Sequence, residues 1–469
     1  FSTRRIEPLL NNGNSAIHAY LHANKESVCC DDLLTGHPAI AAADLVLMDI
    51  TTLPLSLSKD DFDVNICAIS WYGLNGPYAD FNGSDASIYA LTGLMQGVGE
   101  SQGPPIIPTG YQTQIVGGLS AFNGAAGYLL GQHLKGDDKP TAFCLDASIW
   151  EANMCLTDIG AAMSFNQEPL PQRMGINRFA PTYPLGIWPC KDGWLGVTVL
   201  NPAQWFAFCE LLGLDDFAAE PKYQNSMARL EDVEILEPRI LEALSQQRAE
   251  DLFYRGQSMR IPLARVPTME ELLTVDQYVQ RQAFSEYSCE GETFQAPSCP
   301  FRLLETPPLY GGDTANLGAD NQGWDTESVS TKDSLDTSRS GSKEEKDSSI
   351  PQGPLEGITI VDLSMGWAGP LATRNLADLG ATIIKIESCT RFDWFRSWEA
   401  SQEWIDNNGA EKEVRFINLN RNKLDVTLDF ESKVGRDLLL RLVAKADAVI
   451  ENYSGGVLPK LKLNYPVLR

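Results

Sequence analysis

The residues of this 469-residue chain whose types could do chemistry fall into a few groups. Asp85 and Asp146 carry carboxylates that could serve as nucleophiles or bases, but an aspartate in such a short polar stretch most simply caps a helix or holds a loop. The loop Gly366-Trp367-Ala368-Gly369-Pro370, followed by Glu387, has the outline of a nicotinamide-binding turn with an acid for the ribose. It does not supply G-x-G-x-x-G, which argues against a dehydrogenase. Lys423 taken alone reads as a solvated surface lysine. His18 and His22 have i, i+4 spacing, but with His37 and His133 far off in sequence no third ligand is in view and no metal site is expected. Trp188, Trp194, Trp205 and Phe206 could line an acyl pocket, although packing in a core is the default for such residues.

These side chains need a scaffold, and the C-terminal segment declares one. Gly357 to Asp362 is a β-branched run, and a Gly/Pro-containing loop from Met365 to Pro370 follows it. Next comes a helical stretch in which Leu371, Leu376 and Leu379 share a face before Gly380 ends it. Ala381 to Glu387 reads as a second strand, completing a βαβ unit. Asp425 to Phe430 and Asp447 to Asn452 read as further strands around an amphipathic stretch from Gly435 to Ala446. The fold class expected is α/β, a doubly wound parallel sheet. Ile115 to Leu134, weakly polar and glycine-rich, is expected to be a tightly packed buried helix rather than a membrane span.

A formal net charge of -25 and a pI near 4.5 oppose an encounter with nucleic acid or an anionic membrane surface, so neither is expected as a partner. A small anion needs a locally basic pocket to bind. The ten cysteines, scattered from Cys29 to Cys389 with no CxxC pair, suggest neither zinc nor a disulfide framework and point to a reducing compartment. No charged-then-apolar leader follows Phe1, and the expectation is a soluble cytoplasmic protein, with peroxisome and mitochondrion left open.

From about Asn321 to Gln352 the chain is rich in Ser, Asp, Lys and Thr and nearly empty of apolar residues, the composition of a disordered linker. On its two sides short motifs recur in the same order. Asn422-Lys423-Leu424-Asp425-Val426 is echoed by Asn24-Lys25-Glu26-Ser27-Val28, and Ala446-Asp447-Ala448-Val449 by Ala43-Asp44-Leu45-Val46. Together these echoes favour duplication.

The stretch VDLSMGWAGPLATRNLADLGATIIKIE, then Asp393 and Arg396, then LNRNKLDVTLDF and GRDLLLRLVAKADAVIENY, resembles the N-terminal part of class III CoA-transferases, the CaiB/BaiF or formyl-CoA transferase family. The first segment is similar to the rest of that pattern, at Ser70 to Tyr78, Asp85 to Gly93, Leu145 to Glu151, Tyr183 to Gly186, Asp192 to Leu195 and Ile261 to Leu272. The resemblance implies a Rossmann-like parallel sheet of that family's type plus a smaller α+β domain. It divides the chain into a first copy at 1–312 that lacks its opening βα unit, a disordered linker at 313–353, and the N-terminal CoA-binding part of a second copy at 354–469. A permuted single copy is disfavoured, because permutation moves a piece without duplicating motifs.

The resemblance also implies an activity, the movement of CoA between carboxylic acids. In it an aspartate attacks the acyl-CoA thioester, the C–S bond breaks, and the released thiolate captures the resulting anhydride. Gln114 stands where that aspartate belongs, so the first copy is expected to be degenerate, with the nucleophile in a complete second copy. Ser84 and Gln114 replace the acid–base pair of the related racemases, which makes α-proton exchange a poorer fit. By the same resemblance Trp367, Arg396, Lys423 and Ser454 contact coenzyme A, a substrate here, with Arg396 and Lys423 on its phosphates. Acyl-CoA and carboxylic acids are the implied partners, no metal is called for, and the assembly is a homodimer or an intramolecular pseudo-dimer. The rival reading is a non-catalytic CoA-binding or scaffold pseudoenzyme.

Overall fold

The structure, a computed structural model, describes residues 2–29, 38–51, 64–136, 142–157, 160, 163–164, 173–324, 353–388, 391–396 and 401–469. Thirteen strands are described: β1 (Val46–Asp49), β2 (Ile66–Ser70), β3 (Cys144–Ser148), β4 (Leu185–Cys190), β5 (Gly193–Thr198), β6 (Leu263–Arg265), β7 (Phe284–Cys289), β8 (Glu292–Pro297), β9 (Gly312–Asp313), β10 (Thr359–Asp362), β11 (Thr382–Glu387), β12 (Lys423–Thr427) and β13 (Ala448–Ile450). The helices that matter for the site are α1 (Ala16–His22), α2 (Asp85–Thr92), α3 (Gln112–Lys135), α4 (Ile149–Met154), α5 (Pro202–Leu212), α6 (Val233–Ser245), α7 (Ala249–Ser258), α8 (Ala368–Asp378), α9 (Val414–Asn420) and α10 (Lys433–Val443). The chain forms two compact units.

One unit gathers Asp44–Val98, Pro104–Gln172 and Asp333–Arg469, and is built on two parallel sheets, β1-β2-β3 and β12-β11-β10-β13. In the second sheet successive residues point to opposite faces, and both faces are covered. Val361 packs with Leu439 and Val443 of α10 on one side, while Ile360 packs with Ala377 of α8 and with Leu355 and Ile383 on the other. Two covered faces explain why these strands read as near-continuous apolar runs, as the doubly wound arrangement requires. Helix α10 starts where the Ser432 hydroxyl accepts from the Gly435 N–H, and its i, i+4 pair Leu439 and Val443 lies on the sheet.

Helix α3 joins both parts of this unit through small residues. Ala121 and Ala125 lie on Cys67 and Leu145, and a Cβ on Gly117 or Gly124 would run into Ile149 or Leu145. Further along, a Cβ on Gly127 would lie 2.8 Å from Leu379, and one on Gly131 only 2.1 Å from the Pro354 carbonyl oxygen. The expected buried helix is therefore buried along one side alone. Its other side, including Ile115, Leu119 and Phe122, is exposed.

The other unit comprises Phe1–Ala43, Gly99–Gly103 and Arg173–Lys332. The antiparallel sheet β4-β5-β6 packs with α5, α6 and α7 around Trp188, Trp205, Phe208, Leu236, Ile240 and Leu252. Arg229 is buried among them, with its guanidinium over the Trp205 ring and its Nε donating to the Tyr183 carbonyl at 2.6 Å; burial lowers its pKa to about 10. A hairpin of β7 and β8 turns at Glu290-Gly291, both with positive φ, and β9 adds alongside β7. This is the α+β part of the chain. Asp313 and Thr314, placed in the linker from the sequence, belong to this unit, since Asp313 lies in β9 and the buried Thr314 hydroxyl donates to the Ala19 carbonyl at 2.8 Å. Residues 325–352 of that linker lie outside the described residues, as do His37, Cys30 and Cys389.

The repeated motifs have matching backbones. Helix α1 and helix α9 each run seven residues, and each ends on an extended residue, Ala23 at φ -56°, ψ 143° and Arg421 at φ -58°, ψ 151°. Asn24 and Asn422 follow, both left-handed at φ 61°. The Ala-Asp motifs likewise lead into parallel strands, β1 and β13.

Candidate functional site

Two clusters of polar side chains stand out, both in the unit with parallel sheets. The first lies where α2 meets the start of α3. Ser84 caps α2, and Tyr111, at the N-cap of α3, offers no side-chain acceptor. Asp85 supplies the missing cap from outside. Its Oδ1 accepts from the Thr113 N–H at 3.0 Å and the Thr113 hydroxyl at 2.6 Å, and its Oδ2 accepts from Gln114 Nε2 at 2.7 Å. Both Asp85 oxygens are thus engaged, and the Gln114 amide is held as a donor. A carboxylate at 114 would face Asp85 at that distance, like charge against like. Asp146 is also occupied, accepting from the Leu74 N–H at 2.9 Å in the loop after β2.

The second cluster gathers around Asp362, the last residue of β10, and draws on Lys385 within β11 and Lys423, the first residue of β12. Asp362 is fully buried, with Oδ1 accepting from the Ser364 N–H and hydroxyl and Oδ2 from the Thr373 hydroxyl at 2.6 Å and from Lys423 Nζ at 3.1 Å. Lys423 Nζ donates also to the Pro370 carbonyl at 3.0 Å and Asn420 Oδ1 at 2.8 Å. An ammonium has three N–H groups, and here each has an acceptor. Burial lowers the amine's pKa to about 8 despite the attraction of Asp362. Burial also pushes the Asp362 carboxyl up, but Lys385, Lys423 and the two hydroxyls outweigh it and leave its pKa below the ordinary value. A second buried pair lies beside the first: Lys385 Nζ meets Asp393 at 3.2 Å and the Ser364 carbonyl, while Asp393 accepts from the Gly366 and Phe395 N–H groups. Between them the two pairs grip both ends of the loop that carries Trp367.

Arg396 is the third fixed cation. It bonds Glu387 at 2.9 Å, Glu411 at 3.1 Å and Asp425 at 3.5 Å, and its guanidinium lies 3.6 Å from the Phe416 ring centroid. Burial and the adjacent Asp425 raise the Glu387 pKa. Three carboxylates around one guanidinium leave the surroundings net negative. Of the four residues singled out for coenzyme A, then, Lys423 and Arg396 lie inside ion-pair networks, with 2% and 11% of their side chains exposed. Trp367, edge-on to Phe395, and Ser454 are exposed. A cavity of about 180 Å³ opens nearby, lined by Met365, Lys385, Arg391, Phe430, Tyr453 and Leu461 among others.

The sequence reading gave no site role to Lys385, Asp362 or Asp393, although Asp393 is among the residues that carry the resemblance. A signal was there, because Lys385 interrupts the apolar strand Ile383-Ile384-Lys385-Ile386, and a charge inside a strand buried on both faces needs a partner. The tryptophan group does not come together as a pocket: Trp188 and Trp205 are core, while Trp194 and Phe206 are exposed. Among the described residues no helix is long and apolar enough to cross a membrane, and no three His, Cys, Asp or Glu side chains lie together as metal ligands do.

The sequence profile of CoA-transferase family III matches residues 55–321 and 355–469. A probable CoA-transferase of Mycobacterium tuberculosis is 24% identical over 406 residues, which cover 86% of this chain and 48% of that protein. The succinyl-CoA:glutarate CoA-transferase of Mus musculus is 37% identical over 112 residues, 24% of each chain. The chain spans about half the length, or less, of these curated relatives. A solved CAIB/BAIF family protein from Brucella suis shares the fold with a TM-score of 0.58 at 19% identity, over 69% of this chain and 87% of that one.

Proposed function

The chain belongs to CoA-transferase family III, and from that premise we propose that residues 1–469 form part of a two-copy acyl-CoA transferase acting on carboxylic acids in a reducing compartment such as the cytoplasm. The first copy holds the fold without supplying the nucleophile. The observation that supports this reading is the bond from Gln114 Nε2 to Asp85, which commits a neutral amide at the position that the resemblance assigns to the nucleophilic carboxylate. The matching backbones at Asn24 and Asn422 support the two-copy part.

On this reading the second copy binds coenzyme A from the loop ends of β10 and β13. Trp367 and Ser454, being exposed, are the residues that touch it, and the cavity beside Tyr453 takes part of its length. Lys423 and Arg396 act from beneath as positioning residues, because their donors already have carboxylate and carbonyl acceptors. The same Gln114 geometry favours, as second reading, a pseudoenzyme that binds CoA without transferring it.

Intact mass spectrometry after incubation with acetyl-CoA, paired with calorimetric titration by CoA, tests both parts. The expected result is binding with no covalent adduct. An acyl or CoA adduct on a peptide spanning 105–124 would overturn the degenerate first copy. Absence of CoA binding would remove the CoA-binding role from residues 354–469.

A further inference from the structure

A second cavity, of about 440 Å³, opens in the unit with parallel sheets, lined by Met163, Glu403, Trp404, Asn407, Lys412 and Arg415 among others. Its volume is that of a small-molecule site. Two short helices build it: Ser401 caps Gln402–Asp406 by accepting from the Trp404 N–H at 3.2 Å, and Gly409 opens Gly409–Lys412. The Trp404 indole lies directly on Gly409, where a Cβ would come within 2.2 Å of the ring, so the glycine backs an aromatic wall. Met163, from a distant stretch of chain, adds a second apolar group. Four charges also line the cavity, and they are of two kinds. Glu413 and Arg415 close on each other, the carboxylate accepting from Arg415 Nη1 at 2.8 Å and from its backbone N–H at 3.3 Å. Lys412 and Glu403 do not: among the described residues neither side chain has an ion-pair or hydrogen-bond partner. One open cation and one open anion thus share a cavity with an indole.

We propose that this cavity binds an α-amino acid with an apolar side chain, its carboxylate on Lys412, its ammonium on Glu403 and its side chain against Trp404 and Met163. A simple carboxylate or a simple amine satisfies one of the two open charges and meets the other as a like charge. A zwitterion satisfies both. In a chain of formal net charge -25 a plain anion is disfavoured further, by long-range repulsion that an ion of no net charge escapes. The indole helps on the ammonium's side, because an aromatic face attracts a cation. Position matters as well. Arg396 donates to the Ala410 carbonyl at 3.1 Å and meets Glu411 at 3.1 Å, in the short helix that walls this cavity, and it also bonds Glu387, which lines the smaller cavity beside Tyr453. One guanidinium therefore ties the walls of the two cavities together. On the proposed function, on which this step rests, the amino acid is the carboxylic acid held beside coenzyme A. Its binding is measured with no CoA present, so the two can fail separately.

Ligand-observed NMR titrations of the full chain test the proposal with L-phenylalanine, which carries both charges, 3-phenylpropionate, which lacks the ammonium, and phenethylamine, which lacks the carboxylate. L-phenylalanine is expected to bind in the millimolar range or tighter, and the other two roughly 5- to 10-fold more weakly, the loss of one charge-assisted bond near solvent. Lys412→Met is expected to weaken L-phenylalanine and 3-phenylpropionate by that factor and to leave phenethylamine unchanged. Glu403→Gln is expected to weaken L-phenylalanine and phenethylamine and to leave 3-phenylpropionate unweakened. Lys433→Met, at an exposed lysine of α10, is the control and should alter none of them. Lys412 and Glu403 are exposed, so thermal unfolding of both variants should match the wild type, which separates lost binding from lost folding. The place of binding is read from the methyl groups of the nine methionines, labelled with carbon-13. The Met163 signal, assigned by its disappearance in Met163→Leu, is expected to shift as the phenyl ring arrives. No binding of L-phenylalanine up to about 10 mM, equal affinity for the three probes, or binding that leaves the Met163 methyl unmoved overturns the proposal.

Discussion

The Asn-Lys turn occurs twice in this chain, and the two occurrences share a backbone without sharing an environment. After α9, Lys423 enters β12, pairs with β11, and its amine disappears beneath Asp362, Pro370 and Asn420. After α1, Lys25 is exposed and its amine turns back to the Leu21 carbonyl at 2.8 Å. The residues beyond it are held by side chains instead of a strand, with the Ser27 and Cys29 N–H groups donating to Asp320 and Asn321. A short helix, an extended residue and a left-handed asparagine are local matters, and the local sequence carries them in both places. Burial of the lysine is not local. It depends on β10 and α8, which bring Asp362 and Pro370.

The sharpest way to break this comparison is to remove each lysine in turn. Lys423→Met leaves Asp362 buried without its cation and is expected to cost about 3–5 kcal/mol in urea unfolding, whereas Lys25→Met, at an exposed position, should stay within about 0.5 kcal/mol. Equal losses would mean that the two turns do not differ as described. Replacing the asparagines sharpens the shared part. Asn24→Ala and Asn422→Ala each force a Cβ-bearing residue into the left-handed region and lose a side-chain bond, to Gly311 and Asp378 respectively, and each should cost about 1–2 kcal/mol. Glycine at either position should recover much of that loss; a variant pair with unlike responses would show that only one turn depends on its asparagine.

The buried lysine can also be tested by pH. Lys423 has a folded pKa of about 8 against an ordinary 10.5, so between those values the unfolded chain holds its proton more firmly. Its contribution to stability is therefore fully present above pH 10.5 and is lost as pH falls through 8. The stability of the wild type relative to Lys423→Met should rise across that window in thermal unfolding. A flat difference would place the amine in a less buried setting.

The sequence disclosed the βαβ unit at 357–387 because apolar runs, a helical face and Gly380 all agree there, and the strands expected at Asp425–Phe430 and Asp447–Asn452 appear within three residues as β12 and β13. It disclosed Asp85 as a cap, although not that the helix it caps is α3 rather than its own. What stayed hidden was pairing at a distance. Lys423 reads as a surface lysine until β10 brings Asp362 to it, and periodicity cannot show which strand becomes a neighbour. The glycines of Ile115–Leu134 announced close packing correctly, while the large residues interleaved with them, which point the other way, were read as part of the same buried surface.

The contact between Gly131 and the Pro354 carbonyl bears on how this protein can vary. A methyl group at 131 has no side chain to push aside, only main chain, so no rotamer change elsewhere can admit it. Among relatives that keep this arrangement, position 131 is expected to be invariant glycine, and a larger residue there should appear only together with insertions or deletions near 354. The two sites are separated by more than two hundred residues, and they should nevertheless be inherited as one.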